Sequence, residues 1–357
     1  MPVSFIFASK NIRTVKLYLM LVFMFCMTIP FDSCMACQNN DSLLFMFWNL
    51  ENFFDWKDSG LSDSDREFSS DGERRWTRSR FYVKRNSIVK AILWVGEKYG
   101  RLPDAVGFAE VENADVVKSL IYSDALKKYG YSYIHYDSPD PRGIDVALIY
   151  RKEYLECKES RPFRVGSTPV IVNSDTIAVN FVSRDILYSR FMDIRTGEPI
   201  YVLVNHHPSK YGGEKSSLLK RYSSIATLKN ICDSLLSISS GKIVAMGDFN
   251  DSPDSGVFSM MEGTLYLAVE GPGGGGCGTI KFKGKWELID LFFVSHGLAD
   301  ISGYNICNIP FLMEHDKAFS GKKPKRTYLG PRYYGGVSDH CPTVLFVNYV
   351  HNKRNNK

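Results

Sequence analysis

The stretch that decides the fold is residues 243–254, IVAMGDFNDSPD. A strand-length apolar run, Ile243–Met246, is followed at once by the oxygen-bearing side chains of Asp248, Asn250 and Asp251. A buried strand that ends in a carboxylate must give it a partner or solvent, because an unpaired buried charge is too costly to keep ionised. The stretch therefore predicts a strand that carries oxygen ligands to the edge of a sheet.

The same arrangement recurs along the chain. Other apolar runs of strand length also end at, or are interrupted by, a polar residue, and helix-period stretches lie between several of them. If these strand ends meet at one edge, their side chains form a cation site. The predicted strands are 43–48, 105–109, 146–150, 201–204, 243–246, 288–294 and 343–347, and the polar residues that accompany them are Asn49, Glu110, Asn205, His206, Asp248, Asp290, Asp339 and His340.

Composition and the chain ends set the domain organisation. The 357 residues are 44% hydrophobic and 23% charged, enough for a large core, and the formal charge of +5 neither requires nor excludes a polyanionic partner. Basic residues precede the apolar stretch 17–31, which predicts a signal peptide over 1–36. One α/β domain is expected over 41–350, followed by a polar tail over 351–357.

The signal peptide predicts export, so that the protein is periplasmic, secreted or lipid-anchored to a bacterial membrane through Cys34 or Cys37. A permanent membrane helix is the alternative, but it needs about 20 apolar residues, and this run is shorter and contains Pro30. The other cysteines match no zinc spacing, and one disulfide remains open.

Two familiar motifs can be rejected. A helix-loop-helix calcium loop starting at Asp248 would need Gly and Glu where Pro253 and Ser259 stand. The glycines of 271–276 spell a dinucleotide motif, but the segment 279–286 after them predicts a hairpin and not a helix. The polar stretch 57–75 is expected to be a surface loop.

Taken in chain order, the polar segments resemble the endonuclease/exonuclease/phosphatase superfamily, which includes deoxyribonuclease I-like enzymes. Each segment alone is a weak signal, whereas seven in the family's order over about 300 residues form a strong one. The matching segments are FWNLE (47–51), GFAEVEN (107–113), RGIDVALIY (142–150), VNHHPS (204–209), GDFND (247–251), LIDLFF (288–293) and SDHCP (338–342).

The resemblance implies a four-layer α/β sandwich, with two mixed β-sheets face to face and helices on the outside. It also implies hydrolysis of phosphate esters with Mg²⁺, or with Mn²⁺ or Ca²⁺. Glu110 resembles the principal metal ligand, with Asn49 and Asp339 nearby. Glu51 stands where some relatives carry a second metal ligand, which leaves open whether one or two cations bind.

The resemblance also implies roles for the remaining residues. His340, supported by Asp339, stands where the family has its essential histidine, and Asp290 resembles a carboxylate that helps to orient it. Asp248 resembles the residue that orients or deprotonates the attacking water. By the same comparison Asn250 would donate to the phosphate and His206 would lie near the leaving oxygen.

Three further residues are candidates for substrate contact: Arg142, Asp145 and Ser209. Arg142 and Asp145 could instead orient His206 or form an ordinary ion pair. If the strand before His206 continues, His207 points to the opposite face.

These residue types suit the chemistry without reference to the family. A phosphodiester is anionic and has a poor leaving group, so its hydrolysis needs positive charge on the phosphate and a positioned nucleophile. Carboxylate and amide oxygens suit Mg²⁺, and a histidine beside a carboxylate is biased toward its charged form. A single Asp after a strand is more often a turn or helix cap, so the hypothesis depends on the set.

Nucleic acid is the first candidate substrate, because the segments 74–78 and 281–286 mix basic and aromatic residues that could hold a phosphate backbone and stacked bases. A phospholipid or a phosphorylated small molecule is the alternative. A binding module that has lost catalysis is a third hypothesis, and the retained Asp248, His340 and Glu110 argue against it. Oligomeric state is left open.

Overall fold

The computed structural model describes residues 42–348, except 167, 173–174, 211–212, 240, 269–277, 297 and 299. The predicted signal peptide and the polar tail lie outside this range. The described α-helices are α1 (Asp63–Glu67), α2 (Arg78–Tyr99), α3 (Ala114–Ile121) and α4 (Glu214–Ile238), and Lys127–Tyr129, Gly256–Met261 and Pro310–Leu312 form short 3-10 helices. The described strands are β1 (Ser42–Phe53), β2 (Ala105–Val111), β3 (Tyr131–His135), β4 (Asp145–Arg151), β5 (Leu155–Phe163), β6 (Val170–Val172), β7 (Asp175–Ile177), β8 (Ile186–Asp193), β9 (Pro199–His206), β10 (Lys242–Asp248), β11 (Tyr266–Leu267), β12 (Ile280–Phe282), β13 (Lys285–Glu287), β14 (Asp290–Val294), β15 (Asp300–Ile306), β16 (Met313–His315), β17 (Lys322–Pro324), β18 (Tyr328–Leu329), β19 (Arg332–Tyr333) and β20 (Thr343–Asn348).

Two six-stranded mixed sheets form the body of the fold. The first has the order β15-β20-β1-β2-β4-β3 and the second the order β11-β14-β10-β9-β8-β5. In each sheet one central pair is parallel, β1 with β2 and β9 with β10, and the pairs around it are antiparallel. The carboxyl ends of the parallel strands therefore lie beside the amino ends of β4, β14 and β20.

The sheets pack face to face, with helices on their outer faces. A cluster of fully buried side chains, including Phe45, Val204 and Met246, fills the space between the sheets. The sheets come so close that a Cβ at Gly107 would lie 2.9 Å from the Met246 methyl carbon. Fully burying a large apolar side chain contributes about 1.5–3 kcal/mol, so this cluster is a major source of stability.

The outer layers follow from helix periodicity. Ile88, Ile92 and Val95 of α2 share one face and pack with side chains of the first sheet, as α3 also does. Ile225 and Leu228 of α4 pack on the second sheet. The result is the predicted four-layer α/β sandwich, and all seven predicted strands are present with bounds shifted by a few residues.

Two sequence expectations about connecting segments had different outcomes. The predicted hairpin over 279–286 is confirmed as β12 and β13. The segment 57–75 is not simply a surface loop, because it contains α1, capped by the Ser62 hydroxyl, and buries Asp65 and Phe68. Its polar composition concealed these few inward-facing side chains.

The described cysteines, Cys157, Cys232, Cys307 and Cys341, form no disulfide with one another. Among the described residues, no helix is both long and apolar enough to cross a membrane.

Candidate active site

One end of the sandwich collects the polar residues that follow the strands. We call this end the active-site rim and define it by Asn49, Glu110, His206, Asp248 and His340. The Asn49 side-chain amide donates to Asp248 Oδ2 at 3.0 Å, which joins the first sheet to the second. The predicted convergence of strand ends is therefore present in the structure.

The backbone at the rim departs from regular strand geometry. The pairing of β1 with β2 shifts between Asn49 and Phe53, and the pairing of β2 with β4 shifts around Glu110. Glu51, Glu110 and Asn250 have positive φ angles of 49°, 59° and 53°. Such angles are uncommon for residues with a side chain and cluster at functional sites, and bulges re-aim side chains.

Glu110 lies beside both cationic and neutral donors. Its Oε2 accepts a hydrogen bond from the Asn52 backbone N–H at 2.8 Å and lies 3.6 Å from the Arg142 guanidinium. Its Oε1 lies 4.0 Å from His206 Nε2. The carboxylate is therefore fixed at one oxygen by the backbone, while the other faces the imidazole.

Asp248 is buried at the centre of the rim. Its Oδ1 accepts from the Asn250 backbone N–H at 3.0 Å, and its Oδ2 lies 3.8 Å from His206 Nε2 and 3.9 Å from His340 Nε2. Burial, followed by repulsion from Asp290, raises the pKa of Asp248 to about 7. A carboxyl group with a pKa near neutrality is suited to accept a proton from water.

His340 is held by Asp290. The Asp290 carboxylate lies 2.7 Å from His340 Nδ1, and both side chains are buried. Burial alone would lower the pKa of His340, but the carboxylates of Asp290, Asp339 and Asp248 raise it well above 6.5. His340 is therefore an imidazolium near neutral pH.

The two acidic neighbours of His340 differ from each other. Asp339 was expected to support His340, but its Oδ1 lies 3.8 Å from Nε2, whereas Asp290 makes the short contact with Nδ1. The other Asp339 oxygen, Oδ2, lies 3.0 Å from Arg326 Nη2. Asp290 thus holds the imidazole at Nδ1, whereas Asp339 lies on the Nε2 side of the ring.

His206 differs from His340 in charge. Burial, followed by the positive charge of Arg184 and Arg142, lowers the pKa of His206 well below 6.5, so this imidazole is neutral. Its Nδ1 has no hydrogen-bond partner within the described part of the chain. The next residue, His207, packs edge-on against Phe249, as expected for the opposite face.

Two predicted phosphate or substrate contacts are already engaged. The Asn250 side-chain amide donates to the carbonyl of His207 at 2.9 Å. Arg142 donates to the Asn52 side chain at 2.8 Å and pairs with Glu110. Arg142 is about half exposed, so its guanidinium lies at the opening of the rim.

The other two candidates for substrate contact lie less centrally. Asp145 accepts from the Ser138 backbone N–H at 2.9 Å and lies 3.3 Å from His135 Nε2. Of the alternatives left open for Asp145, an ordinary ion pair is formed, but its partner is His135 and not Arg142. Ser209 is exposed in the segment after β9, and its role stays a prediction.

Glu51 is held by groups that the sequence analysis did not include. Its Oε1 accepts from Arg326 Nε at 2.7 Å and its Oε2 from the Thr327 backbone N–H at 3.0 Å. The buried ammonium of Lys84 donates to the Glu51 carbonyl at 2.6 Å. Burial, followed by repulsion from Asp339, raises the pKa of Glu51 to about 7.

The side chains at the rim fit a divalent cation. Carboxylate and amide oxygens are the ligands of Mg²⁺ and Ca²⁺, and Glu110, Asn49 and Asp339 supply them. Asp248 and Asp290 also place carboxylate oxygens within 4.8 Å of each other, beside His340. Burial, followed by repulsion from a neighbouring carboxylate, raises the pKa of Glu51 and of Asp248, and a nearby cation would favour the charged form of both groups.

The stacking surface expected from the sequence is wrong in two places. Trp76 is completely buried and its indole N–H donates to the Phe54 carbonyl at 2.8 Å, so it cannot stack on a base. Lys281 is engaged with the Ser320 carbonyl at 2.6 Å and with Asp316. The basic residues beside Trp76 and Lys281 in the sequence are typical of a surface, so the burial of these two side chains could not be predicted from them.

Arg326 and Lys84 are functional candidates that the sequence analysis missed. Arg326 lies in KKPKRTY (322–328), a basic stretch typical of solvated surface, and Lys84 lies at one position of a long helix. The only sequence signal for Lys84 is that it falls among the apolar positions of α2 facing the sheet.

Comparison with known proteins agrees with this geometry. A model of the endonuclease/exonuclease/phosphatase family matches residues 44–349, and the chain belongs to that family. It is therefore a phosphoesterase-family hydrolase. No curated protein sequence gives a significant match.

Solved structures show the same fold. An endonuclease/exonuclease/phosphatase family protein from Bacteroides thetaiotaomicron is 17% identical, with a TM-score of 0.56 over 87% of this chain and 98% of its own. A mannosyl-6-phosphatase from Bacteroides thetaiotaomicron is 18% identical, with a TM-score of 0.56 over 85% and 99%. TDP2 from D. rerio, in complex with a single-stranded DNA product, is 13% identical, with a TM-score of 0.51 over 87% and 100%.

Proposed function

We propose that this protein hydrolyses phosphodiester bonds by attack of water, with the help of a bound divalent cation. The observation that carries the proposal is the position of Asp248 between His340 and His206, with Glu110 at the same rim. Such a set combines a proton acceptor, a charged donor and a cation ligand within reach of one phosphate.

Each residue has a distinct task in this proposal. Asp248 holds the attacking water and accepts its proton, and Asn49 keeps the carboxylate in place. His340, kept charged by Asp290, donates to a nonbridging oxygen of the phosphate. Neutral His206 lies on the Glu110 side of Asp248, near the leaving oxygen. A cation held by Glu110, Asn49 and Asp339 would neutralise charge on the phosphate.

Nucleic acid is the substrate we propose first. Three arginines, Arg74, Arg142 and Arg326, surround the opening that contains Glu51 and Asn52, and positive groups around a catalytic centre favour a polyanion. The TDP2 structure with a DNA product shows that a relative with this fold acts on DNA.

A small phosphorylated sugar is the second candidate. A cavity of about 160 Å³ adjoins Asp339 and is lined by Arg326, Phe282, Leu329 and Tyr334. A single ring could fill such a cavity, with apolar contact on one side and a charged group on the other. The mannosyl-6-phosphatase structure, which has the same fold, supports this candidate.

One experiment tests the reaction and separates the substrates. The purified protein is incubated with plasmid DNA, RNA, sphingomyelin, a sugar phosphate and a bis-aryl phosphodiester, with Mg²⁺, Mn²⁺ or a chelator. We expect hydrolysis of at least one ester, loss of that activity with chelator and in His340→Ala, and full activity in His315→Ala, whose side chain is exposed. Chelator-resistant turnover, or an active His340→Ala protein, would refute the proposal.

We also propose that the protein is exported. The support is the order of charged, apolar and small residues over 10–36, which lies outside the described residues. Amino-terminal sequencing of protein from fractionated cells tests this, and a mature chain that still begins at residue 1 in the cytoplasm would contradict it.

A further inference from the structure

Arg326 lies between two carboxylates of the active-site rim. Its Nε is 2.7 Å from Glu51 Oε1 and its Nη2 is 3.0 Å from Asp339 Oδ2. Glu51 and Asp339 come from distant parts of the chain, and both are acids that the family resemblance suggested as metal ligands. One guanidinium therefore joins two carboxylates that could otherwise share a cation.

The Glu51 side of this arrangement is firmly built. Thr327, the residue after Arg326, donates its backbone N–H to the second oxygen of Glu51 at 3.0 Å. The Lys84 ammonium donates to both the Glu51 carbonyl and the Thr327 hydroxyl, at 2.6 and 2.8 Å. Both Glu51 oxygens thus have donors, and two fixed positive charges lie within contact distance of the residue.

This arrangement disfavours a metal ion at Glu51. A divalent ion bound by Glu51 Oε1 would lie close to the guanidinium that occupies the same oxygen, and like charges at that distance repel strongly in a partly buried site. Arginine stays charged at every physiological pH, so protonation does not remove the repulsion. Glu110 differs at one of its two oxygens: Oε2 accepts the Asn52 backbone N–H and lies 3.6 Å from the Arg142 guanidinium, whereas Oε1 faces the neutral imidazole of His206.

We propose that the Arg326 guanidinium occupies the place of a second divalent cation between Glu51 and Asp339, so that the centre binds a single cation on the Glu110 side. This inference rests on the proposed metal-dependent function and settles how many ions that function uses. Arg326 acts as a positioning residue, because it holds Asp339 by one oxygen and leaves the other 3.8 Å from His340 Nε2.

The test is to count bound ions in the full chain. Mn²⁺ is titrated into the metal-free protein, with the heat of binding followed by calorimetry and free Mn²⁺ by its paramagnetic resonance signal. The wild type is expected to bind one ion per chain. Arg326→Ala, which removes a side chain that is about half exposed and so leaves the core intact, is expected to bind two.

Three further variants make the count specific. Arg326→Lys keeps the positive charge and should bind one ion. The double variant Arg326→Ala, Glu51→Gln lacks the carboxylate and should return to one. Arg332→Ala removes an exposed arginine from the neighbouring hairpin β18–β19 and should bind one ion, as the wild type does.

The outcomes separate this inference from the function on which it rests. Two ions in the wild type, or one ion in Arg326→Ala, would overturn the inference and leave chelator-sensitive hydrolysis untouched. A wild type that binds no Mn²⁺ would overturn both. One ion in the wild type and two in Arg326→Ala, with the second lost on Glu51→Gln, would establish the substitution of a cation by an arginine.

Discussion

Replacing Asp290 by Asn tests the electrostatic core of the site. The substitution keeps the size of the side chain and an oxygen that can accept from His340 Nδ1, but it removes the negative charge 2.7 Å from that nitrogen. Because Asp290 is fully buried, water cannot replace the lost charge. A hydrogen bond to a charged group contributes about 1.5–3 kcal/mol, and about 1.4 kcal/mol corresponds to a factor of ten in rate. We therefore expect kcat/KM to fall by roughly 10- to 100-fold.

The loss should depend on pH in a direction that the structure fixes. In the wild type the carboxylates keep the pKa of His340 well above 6.5, so the charged form persists through neutral pH. Burial alone lowers that pKa, and the variant therefore loses its proton at lower pH. The defect of Asp290→Asn should be largest near pH 8 and smaller toward pH 6.

The assay is kcat/KM from pH 5.5 to 8.5 on the best substrate, with the imidazole titration followed by NMR. Asp104→Asn is the matched control, because Asp104 is also a fully buried carboxylate paired with a cation, Arg101, but lies at the start of β2, away from the rim. The control should lose stability without a change in pH profile. An Asp290→Asn protein with a wild-type profile and a rate within about twofold would refute the role given to His340.

Three other substitutions have expected outcomes. Asp248→Asn should lower kcat by about 10²–10⁴-fold, the contribution of a general base, with little change in thermal stability; a drop below about tenfold would remove Asp248 as the proton acceptor. Burial raises the pKa of Glu112 from 4.5 to about 8, so the free energy of unfolding falls as pH rises through this range. Glu112→Gln should therefore be more stable than the wild type at pH 9, by about 2–5 kcal/mol. Equal urea midpoints of the two proteins at pH 9 would contradict this. Trp76→Ala should destabilise the protein by about 3–5 kcal/mol, because its indole is fully buried. Phe282→Ala removes an exposed ring and should change the urea midpoint little. A Trp76→Ala protein as stable as the wild type would contradict the burial of Trp76.

The sequence predicted the parts of the site that depend on strand ends. Asp248 and His206 follow parallel neighbouring strands, so apolar run length and the polar residue after it were enough to place them together. Glu110 and Asn49 follow the same rule in the other sheet. The fold class was also predictable, because the order of these segments carries the topology.

Side-chain partners chosen by tertiary packing could not be predicted. Asp339 is the sequence neighbour of His340, yet Asp290, from another strand, makes the short contact. Lys84 and Trp76 are of residue types usually found at least partly at the surface, and their burial depends on which face of α2 and its preceding loop meets the sheet. Nothing in a linear pattern of charges distinguishes Arg326 from the solvated lysines beside it.

The positions of strand ends alone do not place the side chains of the rim, because the backbone there departs from strand conformation. Glu110 and Asn250 have φ angles of 59° and 53°, although glycine adopts this region at far lower cost. A glycine at either position would relax the backbone but would remove the Glu110 carboxylate, which we propose as a cation ligand, or the Asn250 amide, which donates to the His207 carbonyl. Hydrogen bonds of ordinary length, from the Asn52 N–H to Glu110 and from the Asn250 N–H to Asp248, help to hold this conformation. Glu110 thus breaks the local rules of a strand at a position that the proposed reaction uses, and its placement follows from the shifted pairing of β2 with β1 and β4 in the first sheet and not from a propensity of glutamate itself.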